Sequence, residues 1–286
     1  MRNVKICTVS LLRKDGPRPV RENVRRACEA VEDALRHGPD LLLLPECYPS
    51  FETFDGERTA SALQADEWNA IMGRYAREGN CYIVNNVLAR RGADIYNTAF
   101  LIGRSGRVEG FYEKTHLAAN ESLGYGWRQG DELPVFDTDF GRIGILICMD
   151  IHFPETARVL ALKGAEILLW PTQAFGPSQE MLMTLARARA FDNQVYLACA
   201  NFCQVPYLPG KNMGRACIIR PDGSMAADTG NRPGVAAAAV DLDESFPLDW
   251  AYTEHCGELT KRFPDWRTLL CALRRPQLYE QITKGD

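Results

Sequence analysis

Short apolar runs alternate with amphipathic stretches along most of this chain. Leu41–Leu44 and Ile167–Trp170 contain no polar side chain, and each is followed by a segment with helical periodicity before the next strand-like run. A strand that is apolar on both faces belongs to a sheet that is covered on both sides. The alternation therefore predicts an α/β protein, a layered sandwich in which helices lie outside two sheets.

The predicted elements follow this alternation. Strands are expected near residues 4–11, 41–44, 81–88, 97–102, 108–112, 135–136, 142–147, 167–170, 195–200, 215–220 and 236–240. Helices are expected near residues 21–36, 61–78, 179–193 and 266–273, and another opens at Pro154, a residue favoured at the first helical position. Residues 97–102 and 108–112 are predicted to form a β-hairpin, and residues 215–220 are predicted to pair with residues 236–240 as the last strands of the fold.

One domain is expected over residues 1–286, because no repeat or Gly/Ser-rich linker interrupts the pattern. From about residue 243 a C-terminal extension is expected to pack at a subunit interface. With 33 basic and 37 acidic residues spread along the chain, no basic stripe suggests a nucleic-acid partner. The sequence has no long apolar run and no signal peptide, and its ten cysteines include no Cys-x-x-Cys pair, so a cytoplasmic protein with reduced thiols is expected.

Three apolar runs end next to residues that can carry out catalysis. Cys148 follows one run directly, Glu46 follows Leu41–Leu44 after a proline, and Lys114 follows the strand predicted at 108–112. A cysteine thiol titrates near 8.5 and needs a base or a cation to act as a nucleophile. Glu46 is the candidate base, and Lys114 with the backbone N–H of Met149 would stabilise an oxyanion.

Other interpretations of the same residues stay open. A buried cysteine is usually structural, and a glutamate after a strand is usually a cap. His116 or His152 would instead give a papain-like Cys–His pair with Cys148, although pocket or supporting roles are preferred for both. The four histidines and scattered cysteines lack zinc-site spacing, and no phosphate-binding glycine loop occurs, so no metal or other cofactor is expected.

The segments Leu44–Glu46, Glu113–Leu117 and Gly144–Glu155 together resemble the three catalytic signatures of the nitrilase superfamily, the carbon–nitrogen hydrolases. This resemblance implies a four-layer αββα sandwich, a homodimer or higher homo-oligomer, and a catalytic triad of Glu46, Lys114 and Cys148. It also implies a second glutamate that orients the substrate or the attacking water. Glu121 is the best match for it, with Glu132 as the alternative.

The residues after Cys148 narrow the expected substrate. True nitrilases usually have Trp-Glu there, whereas Met149-Asp150 is similar to the amidase and carbamoylase branches. Ile151 and His152 replace the arginines of the D-carbamoylase branch, which disfavours N-carbamoyl-D-amino acids. The resemblance thus implies hydrolysis of a small amide or N-carbamoyl compound with release of ammonia. A nitrilase and a catalytically silent binding protein are the alternatives. Candidate pocket residues are Tyr48, His116, Met149, His152, Phe153, Trp170 and Phe175.

Overall fold

The structure is a computed structural model that describes residues 1–13, 16–54, 56–175, 178–204, 214–244, 263 and 265–283. The chain divides into two units, Met1–Leu242 and Asp243–Asp286. The first unit contains the sheets and the candidate catalytic residues. In the second, the described residues include two short helices. The expectation that this extension packs at a subunit interface stays a prediction.

Strands and helices alternate as the sequence predicts. The strands are β1 (Asn3–Leu12), β2 (Leu41–Leu43), β3 (Tyr82–Arg91), β4 (Asp94–Ile102), β5 (Val108–Glu113), β6 (Val135–Asp137), β7 (Arg142–Ile145), β8 (Ile167–Pro171), β9 (Tyr196–Cys203), β10 (Cys217–Ile219), β11 (Met225–Asp228) and β12 (Gly234–Asp241). The helices are α1 (Val20–Leu35), α2 (Glu57–Ala62), α3 (Ala65–Gly79), α4 (Pro154–Leu162), α5 (Gln179–Asn193), α6 (Trp266–Ala272) and α7 (Glu280–Thr283). Across the described residues, no helix has the length and apolar character that a bilayer span requires.

The strands form two sheets that are joined at one corner. One sheet has the order β5-β4-β3-β2-β1-β12, and the other has the order β6-β7-β8-β9-β10-β11. The strands β1, β2 and β3 run parallel, as do β7, β8 and β9. The end of β1 pairs with the end of β9, from Ser10 with Asn201 to Leu12 with Cys203, which links the sheets.

The period-2 alternation of side chains builds the layers. Leu41 of β2 packs in the cluster between the sheets with Ile145 of β7, whereas Leu42 packs with Trp68 of α3. On the second sheet, Leu168 of β8 packs in the cluster that contains residues of α4 and α5. Because each sheet has one face toward the other sheet and one toward helices, the predicted four-layer αββα sandwich is confirmed.

Two details differ from the sequence prediction. The helix expected at 61–78 is two helices, α2 and α3, separated by a turn at residues 63–64. Residues 215–220 do not pair with 236–240: β10 pairs with β9 and with β11, and β12 pairs with β1 over eight residues from Asn3 with Asp241 to Ser10 with Gly234. The strands β1 and β12 lie more than 200 residues apart in sequence, so propensity alone could not identify them as partners.

Candidate active site

Three strand ends bring the predicted acid, amine and thiol to one end of the sandwich. Glu46 follows β2, Lys114 follows β5 directly, and Cys148 opens a 3₁₀ turn, Cys148–His152, shortly after β7. The charges of Glu46 and Lys114 both shift the pKa of the Cys148 thiol, so the three groups share one electrostatic environment. Open α/β sheets commonly place ligands at the carboxyl ends of their strands, where these residues lie.

Lys114 forms the centre of a buried ion cluster. Its Nζ donates to Glu46 Oε1 at 2.9 Å and to Glu121 Oε1 and Oε2 at 2.9 and 2.7 Å. The Lys114 side chain is 1% exposed. Burial alone would lower its pKa, but the charges of Glu46, of Cys148 at a pH where that thiol is ionised, and of Glu121 outweigh burial and raise the pKa well above the ordinary value. Lys114 is therefore a permanent cation near neutral pH and not a proton donor.

Polar groups hold both oxygens of Glu46. Oε1 accepts from Lys114 and from Asn97 Nδ2 at 2.8 Å, and Oε2 accepts from the backbone N–H of Gln173 at 2.8 Å. Asn97 Oδ1 in turn accepts from Asn86 Nδ2 at 3.0 Å. Sequence reasoning missed Asn97, Asn86 and Gln173. For Asn86 and Asn97 a signal was available: each is a polar residue inside an otherwise apolar strand, β3 or β4. A buried amide requires a polar partner, so such residues indicate a nearby polar site.

Glu121 lies in a single π-helical turn, Asn120–Gly124, and is 7% exposed. Its Oε2 accepts from the backbone N–H of Ala118 at 2.7 Å in addition to Lys114. Burial, followed by the charge of Glu46, raises the pKa of Glu121 despite the neighbouring ammonium. Glu132, the alternative second glutamate, instead lines a separate cavity together with Arg91.

Cys148 has a strained backbone and a neutral thiol. Its φ angle of 46° is in the left-handed region, which costs a non-glycine residue about 1–3 kcal/mol and is typical of functional sites. Burial and the charge of Glu46 raise the pKa of the thiol to about 12, although Lys114 and a hydrogen bond with Thr172 act in the opposite direction. At neutral pH the resting pair is thus a thiol beside a carboxylate.

A buried aspartate holds the turn that carries Cys148 against the loop that follows Lys114. Asp150 Oδ2 accepts from Tyr112 Oη at 2.6 Å and from the backbone N–H of Ile147 at 2.8 Å. Its Oδ1 accepts from the Thr115 hydroxyl at 3.1 Å and from the backbone N–H of His116 at 3.0 Å. These bonds cross-link two segments that are distant in sequence, a role that sequence reasoning did not assign to Asp150.

The histidines do not form the Cys–His pair of the alternative interpretation. His116 Nδ1 lies 2.9 Å from Asp150 Oδ1, and its ring stacks on Phe153 with centroids 3.9 Å apart. His152 is exposed. Within the described ranges, neither imidazole hydrogen-bonds to the Cys148 sulfur. Glu46 stays the candidate base, because its charge affects the pKa of the thiol more than that of Glu121 does.

The candidate pocket residues separate into two groups. Tyr48 and Trp170 have no exposed surface: Tyr48 Oη donates to Asn85 Oδ1 at 3.0 Å, and Trp170 Nε1 donates to the Cys148 carbonyl oxygen at 3.0 Å. Both side chains are buried in the core, and their predicted part in a substrate pocket stays a prediction. Met149 and His116 are half-buried, and His152, Phe153 and Phe175 are exposed.

The fold and this group of residues define an αββα protein with an acid, an amine and a thiol at the strand ends. The family model for carbon–nitrogen hydrolases matches residues 17–246, and the chain belongs to that family. The omega-amidase NIT2-A of Xenopus laevis is 30% identical over 237 residues, which cover 77% of this chain and 83% of the relative.

Solved structures agree with this assignment. The carbon–nitrogen hydrolase from Helicobacter pylori G27 has the same fold, with a TM-score of 0.81 over 99% of both chains at 19% identity. A mutant of the amidase from Nesterenkonia sp. AN1 is 25% identical and has a TM-score of 0.72 over 91% of this chain and 99% of that one. In that structure acrylamide has added to the active-site cysteine.

Proposed function

We propose that this chain hydrolyses the C–N bond of a small amide or N-carbamoyl compound through a cysteine thioester and releases ammonia. The observation that carries the proposal is the buried cluster of Glu46, Lys114 and Glu121 beside the strained Cys148. Two carboxylates and an ammonium are costly to bury, and such groups are typical of sites where charge develops during a reaction. The similarity to an omega-amidase and to an amidase supports the amide substrate.

In the proposed first step, the Cys148 sulfur attacks the carbonyl carbon and its proton passes to Glu46. The high pKa of the thiol makes this transfer necessary, because almost no thiolate exists at neutral pH. The carbonyl oxygen gains a negative charge, which Lys114 and the backbone N–H of Met149 would stabilise. Since Lys114 keeps its proton, its contribution is electrostatic.

The tetrahedral intermediate then collapses. The proton on Glu46 moves to the substrate nitrogen, the C–N bond breaks, and ammonia leaves while Cys148 holds the acyl group as a thioester. In the second half, Glu46 takes a proton from water, the hydroxide oxygen attacks the thioester, and the proton returns to the departing sulfur. Glu121 would orient the substrate or this water, and it holds Lys114 in position with two hydrogen bonds.

A panel of linear amides, N-carbamoyl amines, N-carbamoyl amino acids and nitriles tests the proposal. The measured products are ammonia and a carboxylic acid from amides and nitriles, and ammonia, CO2 and an amine from N-carbamoyl compounds. We expect turnover of amides or N-carbamoyl compounds, none of nitriles, and no turnover by Cys148→Ala with the fold intact by circular dichroism. Cys271→Ala is a matched control, because Cys271 of α6 is an exposed thiol outside the candidate site. Ammonia release by Cys148→Ala would refute the nucleophile, and preferred nitrile turnover would favour the nitrilase alternative.

A complete lack of turnover across the panel would favour the silent binding protein.

The cytoplasmic location and the homodimer expected from the sequence belong to the same proposal. Light scattering on the purified chain is expected to give about twice the mass of one protomer, and a monomer mass would refute the dimer.

A further inference from the structure

The carbonyl oxygen of Cys148 is held from inside the core by Trp170. The indole N–H of Trp170 donates to this oxygen at 3.0 Å, and the indole has no exposed surface. Trp170 follows Leu169 on β8, and Leu169 packs between the two sheets. Because side chains alternate along a strand, the indole lies on the opposite face, in the cluster beside α4 and α5. The Cys148 carbonyl group therefore points toward the helix side of this sheet.

The peptide bond between Cys148 and Met149 transmits this anchoring. In a trans peptide the C=O and N–H groups lie in one plane and point in opposite directions. A carbonyl group that points toward the helix side directs the N–H of Met149 to the other side. The Cys148 side chain lies on that other side, because it packs against the cluster between the sheets. The Met149 N–H is thereby on the same side as the sulfur.

Other carbonyl groups of the same turn are also held in place. Arg189 Nε donates to the carbonyl oxygen of Ile151 at 3.0 Å, and the Thr156 hydroxyl donates to that of Asp150 at 3.1 Å. Among the residues that the structure describes, the Met149 N–H makes no hydrogen bond. A backbone N–H without an internal acceptor, next to a nucleophile, is the donor that an oxyanion requires.

The backbone conformation of Cys148 makes this anchor necessary. Its φ angle of 46° is in the left-handed region, which a residue with a side chain rarely adopts. Such a conformation persists only where the surrounding structure holds it. Relaxation would rotate the peptide plane that carries the Met149 N–H, and the hydrogen bond from Trp170 opposes that rotation.

We infer that Trp170 is a positioning residue for the oxyanion site: through the Cys148 carbonyl group it directs the N–H of Met149 at the oxygen that becomes negatively charged. The inference rests on the proposed function, and it gives Trp170 a part in the reaction that requires no contact with the substrate. Loss of the indole N–H should weaken transition-state stabilisation and leave substrate binding and the thiol unchanged.

Two replacements of Trp170 remove the donor. Trp170→Phe deletes the N–H with part of the ring. Benzothienylalanine at position 170 keeps the shape of the ring and has sulfur in place of the N–H, so it keeps the test valid if Trp170→Phe does not fold. Trp68→Phe is the matched control, because Trp68 is also fully buried and its Nε1 has no hydrogen-bond partner within the described ranges.

The first measurement uses the amide or N-carbamoyl compound with the highest turnover in the panel. We expect kcat to fall by about 10-fold in both Trp170 variants, with KM changed by less than about 2-fold. Loss of an oxyanion donor itself costs about 10²–10³-fold, and a misdirected donor should cost less. Trp68→Phe should keep both constants within about 2-fold of the native values. An unchanged kcat in the sulfur variant, or an equal fall in Trp68→Phe, would overturn the inference.

Two reagents separate the oxyanion site from the nucleophile. Iodoacetamide alkylates the Cys148 sulfur: an S–C bond forms, iodide leaves, the thiol proton passes to Glu46, and no oxyanion develops. Butyraldehyde adds the thiol across its C=O bond as a reversible hemithioacetal, whose oxygen takes the place of the oxyanion. Both Trp170 variants should be alkylated within about 2-fold of the native rate but bind butyraldehyde about 10-fold more weakly. An equal loss in both reactions would indicate a disturbed nucleophile and overturn the inference.

These measurements do not require turnover, because butyraldehyde binding is measured as protection of Cys148 from iodoacetamide. If the native protein releases no ammonia from any compound in the panel, the proposed hydrolase fails, and the aldehyde comparison still decides the role of Trp170. Weaker protection in the sulfur variant than in the native protein would retain the oxyanion assignment. Equal protection in both, or no protection in the native protein, would overturn it.

Discussion

Replacement of Lys114 by methionine removes the cation from a buried cluster without a large change in shape. Its Nζ makes contacts of 2.7 to 2.9 Å with Glu46 and Glu121, and both carboxylates are nearly inaccessible to water. At an effective dielectric constant of about 20, each pair at such a separation is worth about 5–6 kcal/mol. Desolvation of the ammonium offsets much of this, and removal of one member of a buried pair usually costs about 3–5 kcal/mol.

We therefore expect Lys114→Met to lower the free energy of unfolding by about 3–5 kcal/mol at pH 7, measured by urea denaturation. Lys163→Met is the control, because Lys163 is exposed and should cost about 0.5 kcal/mol or less. In the Lys114→Met background, Glu121→Gln should recover at least about 1 kcal/mol, because it removes one of two uncompensated charges. A cost equal to that of the control, or no recovery in the double variant, would refute the reasoning.

The pH dependence of the same variant has a defined sign. The pKa of Glu121 is already raised by burial and by Glu46, and loss of Lys114 removes the charge that opposes this rise. An acid whose pKa is higher in the folded than in the unfolded state binds more protons when folded, so its contribution to stability is lost as pH rises through the folded pKa. Relative to Lys163→Met, Lys114→Met should gain stability as pH falls from 8 toward 5, and a loss over that range would contradict this assignment.

Two further predictions concern the neighbours of Cys148. Glu46→Gln should reduce amide turnover by about 10²-fold or more, because it removes the general base. The charge of Glu46 raises the pKa of the Cys148 thiol, so the same variant should shift the Cys148 titration below pH 12. The measurement is the thiolate absorbance difference from Cys148→Ala, and an unchanged or higher pKa would contradict this prediction. Asp150→Asn replaces an acceptor that receives five donors and should lower the free energy of unfolding by about 2–4 kcal/mol, measured by urea denaturation. Asp137→Asn on the surface is the control and should cost about 0.5 kcal/mol or less. Similar losses of stability in both variants would refute the cross-link.

Much of the fold could be predicted from local sequence, because burial on both faces has a direct signature. The apolar run at Leu41–Leu44 and the residues that follow it identify both a central strand and the strand end that carries Glu46. The partner of β12 could not be predicted, since strand pairing depends on contacts between residues more than 200 positions apart, such as Asn3 and Asp241. The turn at residues 63–64 also could not be predicted, because α2 and α3 together keep the helical periodicity of one continuous helix.

The candidate site shows the same division. Sequence alone determined which segments carry a thiol, an amine and an acid next to strand ends, because residue type and strand position are local properties. Tertiary structure decided that Glu121 and not Glu132 contacts Lys114, and that Trp170 supports Cys148 from inside the core. Burial and the distances between charges arise only when distant segments pack together, so they also set the neutral state of the thiol and the permanent charge of the lysine.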